Sequence, residues 1–424
     1  MTFDGLEDVP SKKKEFSKTE THCRSCGVGE LRTFLDLGET PLANRLLNPE
    51  ERDLAELAFP LKVAVCENCG CVQITETVAP EVLFADQYPY YSSAIPALLK
   101  HSRENALGLV EERKLGPDSL VIELASNDGY LLKNYVEKGV PVLGIDPAEN
   151  QVAAANEIGV RSMCAFFSEA LGETLAADGV QADVIHANNV LAHVADTNSF
   201  VGGVAAILKE DGVAVIECPY LLPMIEKTEF DTVYHEHYFY WSVTALDHLF
   251  RRHGLYLNRI KHLTIHGGSL RLFVEKMENQ GESVADALAK ERALGADKLP
   301  FFKDFGEKVA QLKTDLVAMI KGLRAEGKTV AAYAAAAKGA TLVNYAGIDH
   351  TLIDFTVDRA AAKQNMLMPG SKIPIHAPEA ILERKPDYVL MLAWNFADEI
   401  LQQQSEYRAQ GGKFIIPVPT PHIV

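Results

Sequence analysis

Apolar and polar positions change rhythm several times along this chain. The segments TFLDLGETPLANRLL and FPLKVAVCENC alternate the two classes over short spans, the period-two pattern of half-buried strands. Residues 92–115 (SSAIPALLKHSRENALGLVEERKL) turn to helical spacing. Unbroken apolar runs follow at 120–124 (LVIEL) and 142–145 (VLGI), with a tight turn and a helix between them. That is a βαβ unit, the first half of a doubly wound sheet. ADVIHANNVL and GVAVIECPYL extend it through the helix TNSFVGGVAAILKE, and SLRLFVEK at 269–276 supplies a late strand. Residues 284–326 are charged and keep a helical apolar period. KTVAAYAAAAKGATLVNYAG then opens a second α/β unit, continued by TLIDFTVDRAAAKQ, DYVLMLAWNF and KFIIPVP. The pattern predicts a tail at 1–18, a small β-rich domain at 19–91 and a doubly wound domain at 92–283. A helical linker and a second Rossmann-like domain fill 284–424.

At 424 residues the chain is long enough for two or three domains, and 47% hydrophobic content is that of a globular protein. A net charge of −17 argues against broad nucleic-acid or acidic-membrane binding, both of which need basic surface. No apolar run approaches the roughly 20 residues of a membrane helix. Residues 1–20 carry no apolar signal core, so a cytoplasmic location is expected.

Seven cysteines change the picture of the first domain. CRSCG holds Cys23 and Cys26, and CENCGC holds Cys66, Cys69 and Cys71. Each C-x-x-C is followed by a glycine that permits a tight knuckle. Two such knuckles can set four thiolates around Zn²⁺ in a closed, structural site. A redox C-x-x-C is the competing explanation, weakened by the second pair. Cys71 is a spare thiol.

The turn after the first long apolar run departs from G-x-G-x-x-G. It reads Glu123, Leu124, Ala125, Ser126, Asn127, Asp128, Gly129, with an acid ahead of the turn and few phosphate-hugging glycines. An acidic rim suits a ligand with a cationic end, and S-adenosylmethionine has two positive groups. Asp146, closing the second run, is placed for the ribose hydroxyls. Phe166 and Phe167 lie beside the third strand, where an aromatic can line an adenine pocket. Asn188 and Asn189 end the fourth strand, where the donor's methionine portion belongs, and His193 follows on the next turn. An NAD or flavin fold with a degenerate turn is the alternative.

FDTVYHEHYFYWS (230–242) concentrates ionisable and aromatic side chains. In a helical turn Tyr234 and His237 share a face; in an extended segment Tyr234 pairs with Glu236, and the two histidines face the other way. His-x-His also suits a metal, although the thiolates already form a complete set. A buried polar knot without chemistry is a third possibility.

Together the double knuckle, ELASNDGYLL, NNVLAHVAD, YHEHYFYWS, HGGSLR and KIPIHAPEAILERKPDYVLMLAWNF give the chain a resemblance to sugar C-methyltransferases. The resemblance spans nearly the whole chain in one three-part order. It implies a class I methyltransferase Rossmann-like sheet between the zinc domain and a C-terminal Rossmann-like domain. It implies methyl transfer from S-adenosylmethionine to C-3 of a TDP-linked 4-keto-2,6-dideoxyhexose, as in antibiotic deoxysugar biosynthesis. It makes His237 the base, with Tyr234, Glu236, His193 and Tyr88 around it, and leaves His235 structural. HGGSLR is either a tight turn leading into a strand or, through His266, Ser269 and Arg271, a contact for the sugar. Lys338, at a helix start, with Asp358, Lys363 and Asn395, would hold the diphosphate end, a ligand-free pseudo-repeat of the fold being the alternative. A monomer is expected. The rival readings are an O- or N-methyltransferase on a similar sugar, and a zinc-ribbon nucleic-acid binder fused to a methyltransferase fold; acidity opposes the latter.

Overall fold

In the computed structural model, residues 16–83, 91–263 and 268–424 are described, and they form three principal sheets and one small one. The small sheet pairs β1 (Ser17–Thr19) with β5 (Glu76–Val78). Beside it, β2 (Leu31–Pro41), β3 (Ala58–Cys66) and β4 (Val72–Ile74) form an antiparallel meander. Its fourth strand comes from far along the chain: β11 (Phe239–Tyr240) pairs with β4, Phe239 opposite Gln73. The expected boundary near residue 91 therefore divides the sequence but not this sheet.

The middle sheet runs β12-β13-β10-β9-β6-β7-β8. Its parallel strands are β6 (Val121–Leu124), β7 (Val142–Asp146), β8 (Ser162–Cys164), β9 (Ala182–Asn188) and β10 (Leu208–Pro219). β6 and β7 are buried at every position, which explains why they read as unbroken apolar runs: helices cover both faces. The hairpin of β12 (Tyr256–Leu263) and β13 (Ser269–Glu275) completes the sheet, with β13 antiparallel to β10. Two expected boundaries move. The helix expected to run through residue 210 ends at Ile207, because Leu208 is already extended and pairs with Ala182. The helix Glu282–Leu294 crosses the 283/284 division and belongs with the middle sheet. Its buried Glu291 accepts from Tyr220 Oη, Val243 N and Thr244 N.

The third sheet runs β16-β15-β14-β17-β18-β19. It comprises β14 (Val330–Tyr333), β15 (Thr356–Val357), β16 (Ile375–His376), β17 (Tyr388–Met391), β18 (Lys413–Ile416) and the antiparallel edge β19 (His422–Ile423). The long helix Lys303–Ala325 leads into it. Phe305, Val309, Leu312, Leu316, Ile320 and Leu323 recur every three or four residues and are all buried. Truncating Leu316 to alanine would cost about 2–5 kcal/mol. No described helix is long and apolar enough to cross a membrane.

Candidate active site and metal centre

Cys23, Cys26, Cys66 and Cys69 converge, their sulfurs all within 4.8 Å of one another. The Cys23–Cys69 and Cys26–Cys66 separations are 3.7 and 3.6 Å. Tetrahedral Zn–S bonds of about 2.3 Å place sulfurs roughly 3.8 Å apart, so the set fits zinc. Knuckle backbone bonds, Gly27 N to Cys23 O and Gly70 N to Cys66 O, rely on positive φ at both glycines. A Cβ at Gly29 would fall on Cys66 Sγ. Asn68 donates to Cys26 Sγ and Gln73 to Cys23 Sγ. Cys71 stays outside the four-sulfur group, as a buried spare.

The turn after β6 is strained: Ala125 and Asn127 have φ of 57° and 49°. Such conformations cost about 1–3 kcal/mol each and collect at functional sites. Asp146, at the end of β7, holds the turn by accepting from Asn127 N and Ala148 N, both at 2.9 Å. Glu123 is 1% exposed, and neither carboxylate oxygen has a partner among the described residues. Burial, then Asp146 and Asp128, push its carboxyl well above the usual range. Asp128 Oδ1 and Asn188 Oδ1 are likewise buried without partners. This set of acceptors fits a cationic ligand. The side chains of Asn127 and Asp128 also anchor the 92–93 segment, accepting from Ser92 N and Ser93 N. Asn189 adopts φ 54°, its amide tied to Glu217 O.

The two phenylalanines separate. Phe166 is 66% exposed beyond β8, while Phe167 packs edge-on against Phe200. The expected cofactor role of Phe167 is corrected to core packing between helices. Arg271 is corrected too: its guanidinium is committed to Glu217 at 2.6 Å, with His101 alongside, rather than open to a sugar. Ser269 is buried beside Pro219, at the start of β13. Tyr88 and His266 lie outside the described residues.

Residues 234–237 form a turn closed by His237 N to Tyr234 O, 2.9 Å. That brings Tyr234 and His237 together, as helical spacing would, and separates them from His235. His237 Nδ1 lies 2.8 Å from Thr232 O and Nε2 lies 2.7 Å from Tyr234 Oη. A carbonyl can only accept, so Nδ1 carries the proton and Tyr234 donates to the Nε2 lone pair. The His193 ring sits 4.7 Å from that of His237, its pKa lowered to about 4 by burial. His235 faces the zinc domain, donating to Pro60 O and packing edge-on against Phe59. Glu236 accepts from Asn44 at 2.7 Å and is pushed up to about 7 by burial, with Asn44 and Lys363 pulling back.

On the other flank, Trp394 donates to Asp231 Oδ2 and Thr341 to Val233 O. Lys338 stands 4.0 Å over the Trp394 ring and 3.3 Å from Asn395 Oδ1. Asp358 accepts from Ala335 N and Ala360 N, and Lys363 donates to Ala335 O. Sequence reasoning missed Asn44, Asp231 and Trp394. Asp231 stood inside the quoted aromatic stretch and Trp394 beside Asn395, whereas Asn44, 192 residues from Glu236, gave no signal.

Comparison with known proteins adds the following. Family models match three parts of the chain: "Putative zinc binding domain" at 23–84, "Methyltransferase domain" at 92–259 and "C-methyltransferase C-terminal domain" at 264–419. C-methyltransferase NovU of Streptomyces niveus is 35% identical over 405 residues, 95% of this chain and 96% of that protein. Ubiquinone biosynthesis O-methyltransferase of Bartonella quintana (strain Toulouse) is 28% identical over 97 residues, 23% of this chain and 39% of its own. Magnesium protoporphyrin IX methyltransferase (ChlM) from Synechocystis PCC 6803, solved with bound SAH, covers 42% of this chain and 83% of its own. Its identity is 16% and its TM-score 0.35.

Proposed function

This chain belongs to the C-methyltransferase family, and on that premise we propose that it methylates C-3 of a TDP-linked 4-keto-2,6-dideoxyhexose. S-adenosylmethionine is its donor, and the four thiolates hold a structural zinc. When bound, the donor supplies an electrophilic methyl on a sulfonium; Glu123, Asp146 and Asn188 are the residues that would hold it.

Carbon, unlike oxygen or nitrogen, has no lone pair ready to attack. The C–H beside the ketone must first give up its proton, and the electron pair moves onto the carbonyl oxygen as an enolate. His237 takes that proton at Nε2. The bond from Nδ1 to Thr232 O fixes this tautomer and stays in place when the ring becomes cationic. Nε2 has a single lone pair, so Tyr234 must release it before the proton is taken; its hydroxyl then donates to the carbonyl oxygen on which the enolate charge develops. Glu236, pushed up to about 7 by burial, feels the Lys363 ammonium. His193, kept neutral by burial, adds no competing positive charge beside the base. Tyr88 and His266 belong to the proposed pocket by resemblance. Lys338, Asn395, Asp358 and Lys363 hold the nucleotide diphosphate, while Ser269 borders the sugar. The enzyme acts as a cytoplasmic monomer in deoxysugar biosynthesis.

The two-sided bonding of His237 carries this reading. Its test is deuterium exchange at the ketone's α-carbon without donor, followed by product mass across a panel of nucleotide-linked 4-keto sugars. The wild type exchanges that hydrogen and His237→Asn does not. Normal turnover by His237→Asn with both substrates saturating would overturn the assignment.

A further inference from the structure

The catalytic turn is framed by the zinc domain, and one pair of buried side chains connects the two. Gln73, fully buried on β4, donates through Nε2 to Cys23 Sγ at 3.1 Å and accepts through Oε1 from both Arg24 N and Arg24 Nη1. Arg24, between two zinc ligands, extends its guanidinium to Ile74 O and Thr77 Oγ1. The same guanidinium lies 5.6 Å from the Tyr238 ring centroid and 5.9 Å from that of Phe239. Backbone pairing reinforces the connection: Ile74 N donates to Tyr238 O, and Gln73 faces Phe239 across β4 and β11. Tyr238 directly follows His237.

We infer that Arg24 and Gln73 are positioning residues that couple the four-thiolate zinc site to the placement of His237. Gln73 Oε1 takes both the Arg24 amide and Nη1 while Nη1 also reaches Ile74 O, so the two side chains are positioned jointly. Zinc, when bound, would fix the Cys23 sulfur to which Gln73 Nε2 donates, and Gln73 in turn orients Arg24. Arg24 then supports the two aromatic rings on which the turn ends. Metal occupancy is thereby transmitted to the proposed base His237.

The inference rests on the reading of His237 as the base only in its kinetic arm; metal affinity and amide exchange test it independently. On the full-length zinc-loaded protein, Gln73→Leu and the milder Arg24→Lys are compared with wild type. Zinc affinity by chelator competition should fall at least tenfold in Gln73→Leu. At saturating zinc both variants should lose kcat, about tenfold for Gln73→Leu and less for Arg24→Lys, with donor KM unchanged. Hydrogen exchange of a peptide covering 230–242 should quicken when zinc is stripped from wild type, more than that of the β14–β17 strands. The coupling is overturned if both variants keep wild-type kcat at saturating zinc, or if the 230–242 peptide stays protected after zinc removal. It is also overturned if that peptide quickens only together with β14–β17. Exchange and affinity behaving as expected while His237→Asn remains active would sink the base assignment and leave the coupling standing.

Discussion

Corresponding edges of the two doubly wound sheets are built alike and charged in opposite ways. After β6 the chain passes through Ala125 at φ 57°, and after β14 through Ala334 at φ 78°. In each, an aspartate ending the neighbouring strand accepts two backbone amides. Asp146 takes Asn127 N and Ala148 N, and Asp358 takes Ala335 N and Ala360 N. The difference lies in what surrounds this shared bracket. Two residues before Ala125 stands the buried, unpartnered Glu123; two before Ala334 stands Ala332. The C-terminal edge adds Lys338 and Lys363 instead. On the proposed reading, one scaffold thus carries two edges of opposite sign, one for a sulfonium and one for a diphosphate. Fold alone does not say which ligand goes where; the few charged side chains on the edge do.

The largest predicted effect concerns Glu236, which accepts from Asn44 and feels Lys363 of the basic edge. Its folded pKa is raised from 4.5 to about 7, chiefly by burial. The folded protein therefore keeps a proton that the unfolded chain has released. This stabilisation is complete below pH 4.5 and is lost as pH rises through 7. Two and a half pKa units amount to about 3 kcal/mol. Glu236→Gln removes the titration, so between pH 4.5 and 8 its unfolding free energy should gain about that much relative to wild type. Denaturant titrations at both pH values check this. The depressed His193 and His235 titrate in both proteins and cancel in the difference. Parallel pH profiles would mean that Glu236 is not buried as described.

The comparison of brackets is sharpened by exchanging their aspartates for alanine. Asp146→Ala loses two charge-assisted bonds that hold the donor turn, and donor affinity should fall about 100-fold. Asp358→Ala should raise acceptor KM about tenfold and leave donor affinity unchanged. Calorimetric titration with S-adenosylmethionine separates the two. If Asp358→Ala weakened the donor as much as Asp146→Ala does, the two edges would not serve separate ligands.

Much of this contrast was legible before folding. Glu123 and Asp146 betrayed themselves by an acid ahead of a turn and another about 20 residues later, a spacing imposed by the βαβ unit. The four thiolates were legible because knuckles are local structures. Asn44 was not, because its meeting with Glu236 depends on how domains pack rather than on any local pattern. The membership of β11 in the zinc domain's sheet was hidden for the same reason: a two-residue strand carries almost no periodicity. Arg271 misled in the other direction. A basic residue in HGGSLR suggested a sugar contact, but its cross-strand neighbour Glu217 claims it.

The basic edge is tested by Lys338→Ala combined with Asn395→Ala. Acceptor KM should rise about tenfold, with kcat at saturation and donor affinity unchanged, because a removed ammonium weakens diphosphate binding without touching the base. Its salt dependence should also shrink, since one screened attraction is gone. An acceptor KM equal to wild type would assign Lys338 to supporting Trp394 and Asp231 instead.

The smallest expected effect belongs to Glu123→Gln, and it tests the acidic edge most directly. The substitution keeps shape and removes charge, so donor affinity should fall about fivefold, roughly 1 kcal/mol. In wild type a bound cation favours ionisation of a carboxyl that burial, Asp146 and Asp128 otherwise hold protonated. Donor binding should therefore release a proton and strengthen as pH rises, a dependence the Gln variant lacks. S-adenosylhomocysteine, whose sulfur is neutral, resolves which positive group Glu123 faces. If it faces the sulfonium, the variant binds the neutral analogue as wild type does; if the α-ammonium, both ligands weaken together. Unchanged affinity for both would place the cation elsewhere on the edge and take from Glu123 the part it plays in the contrast between the two sheets.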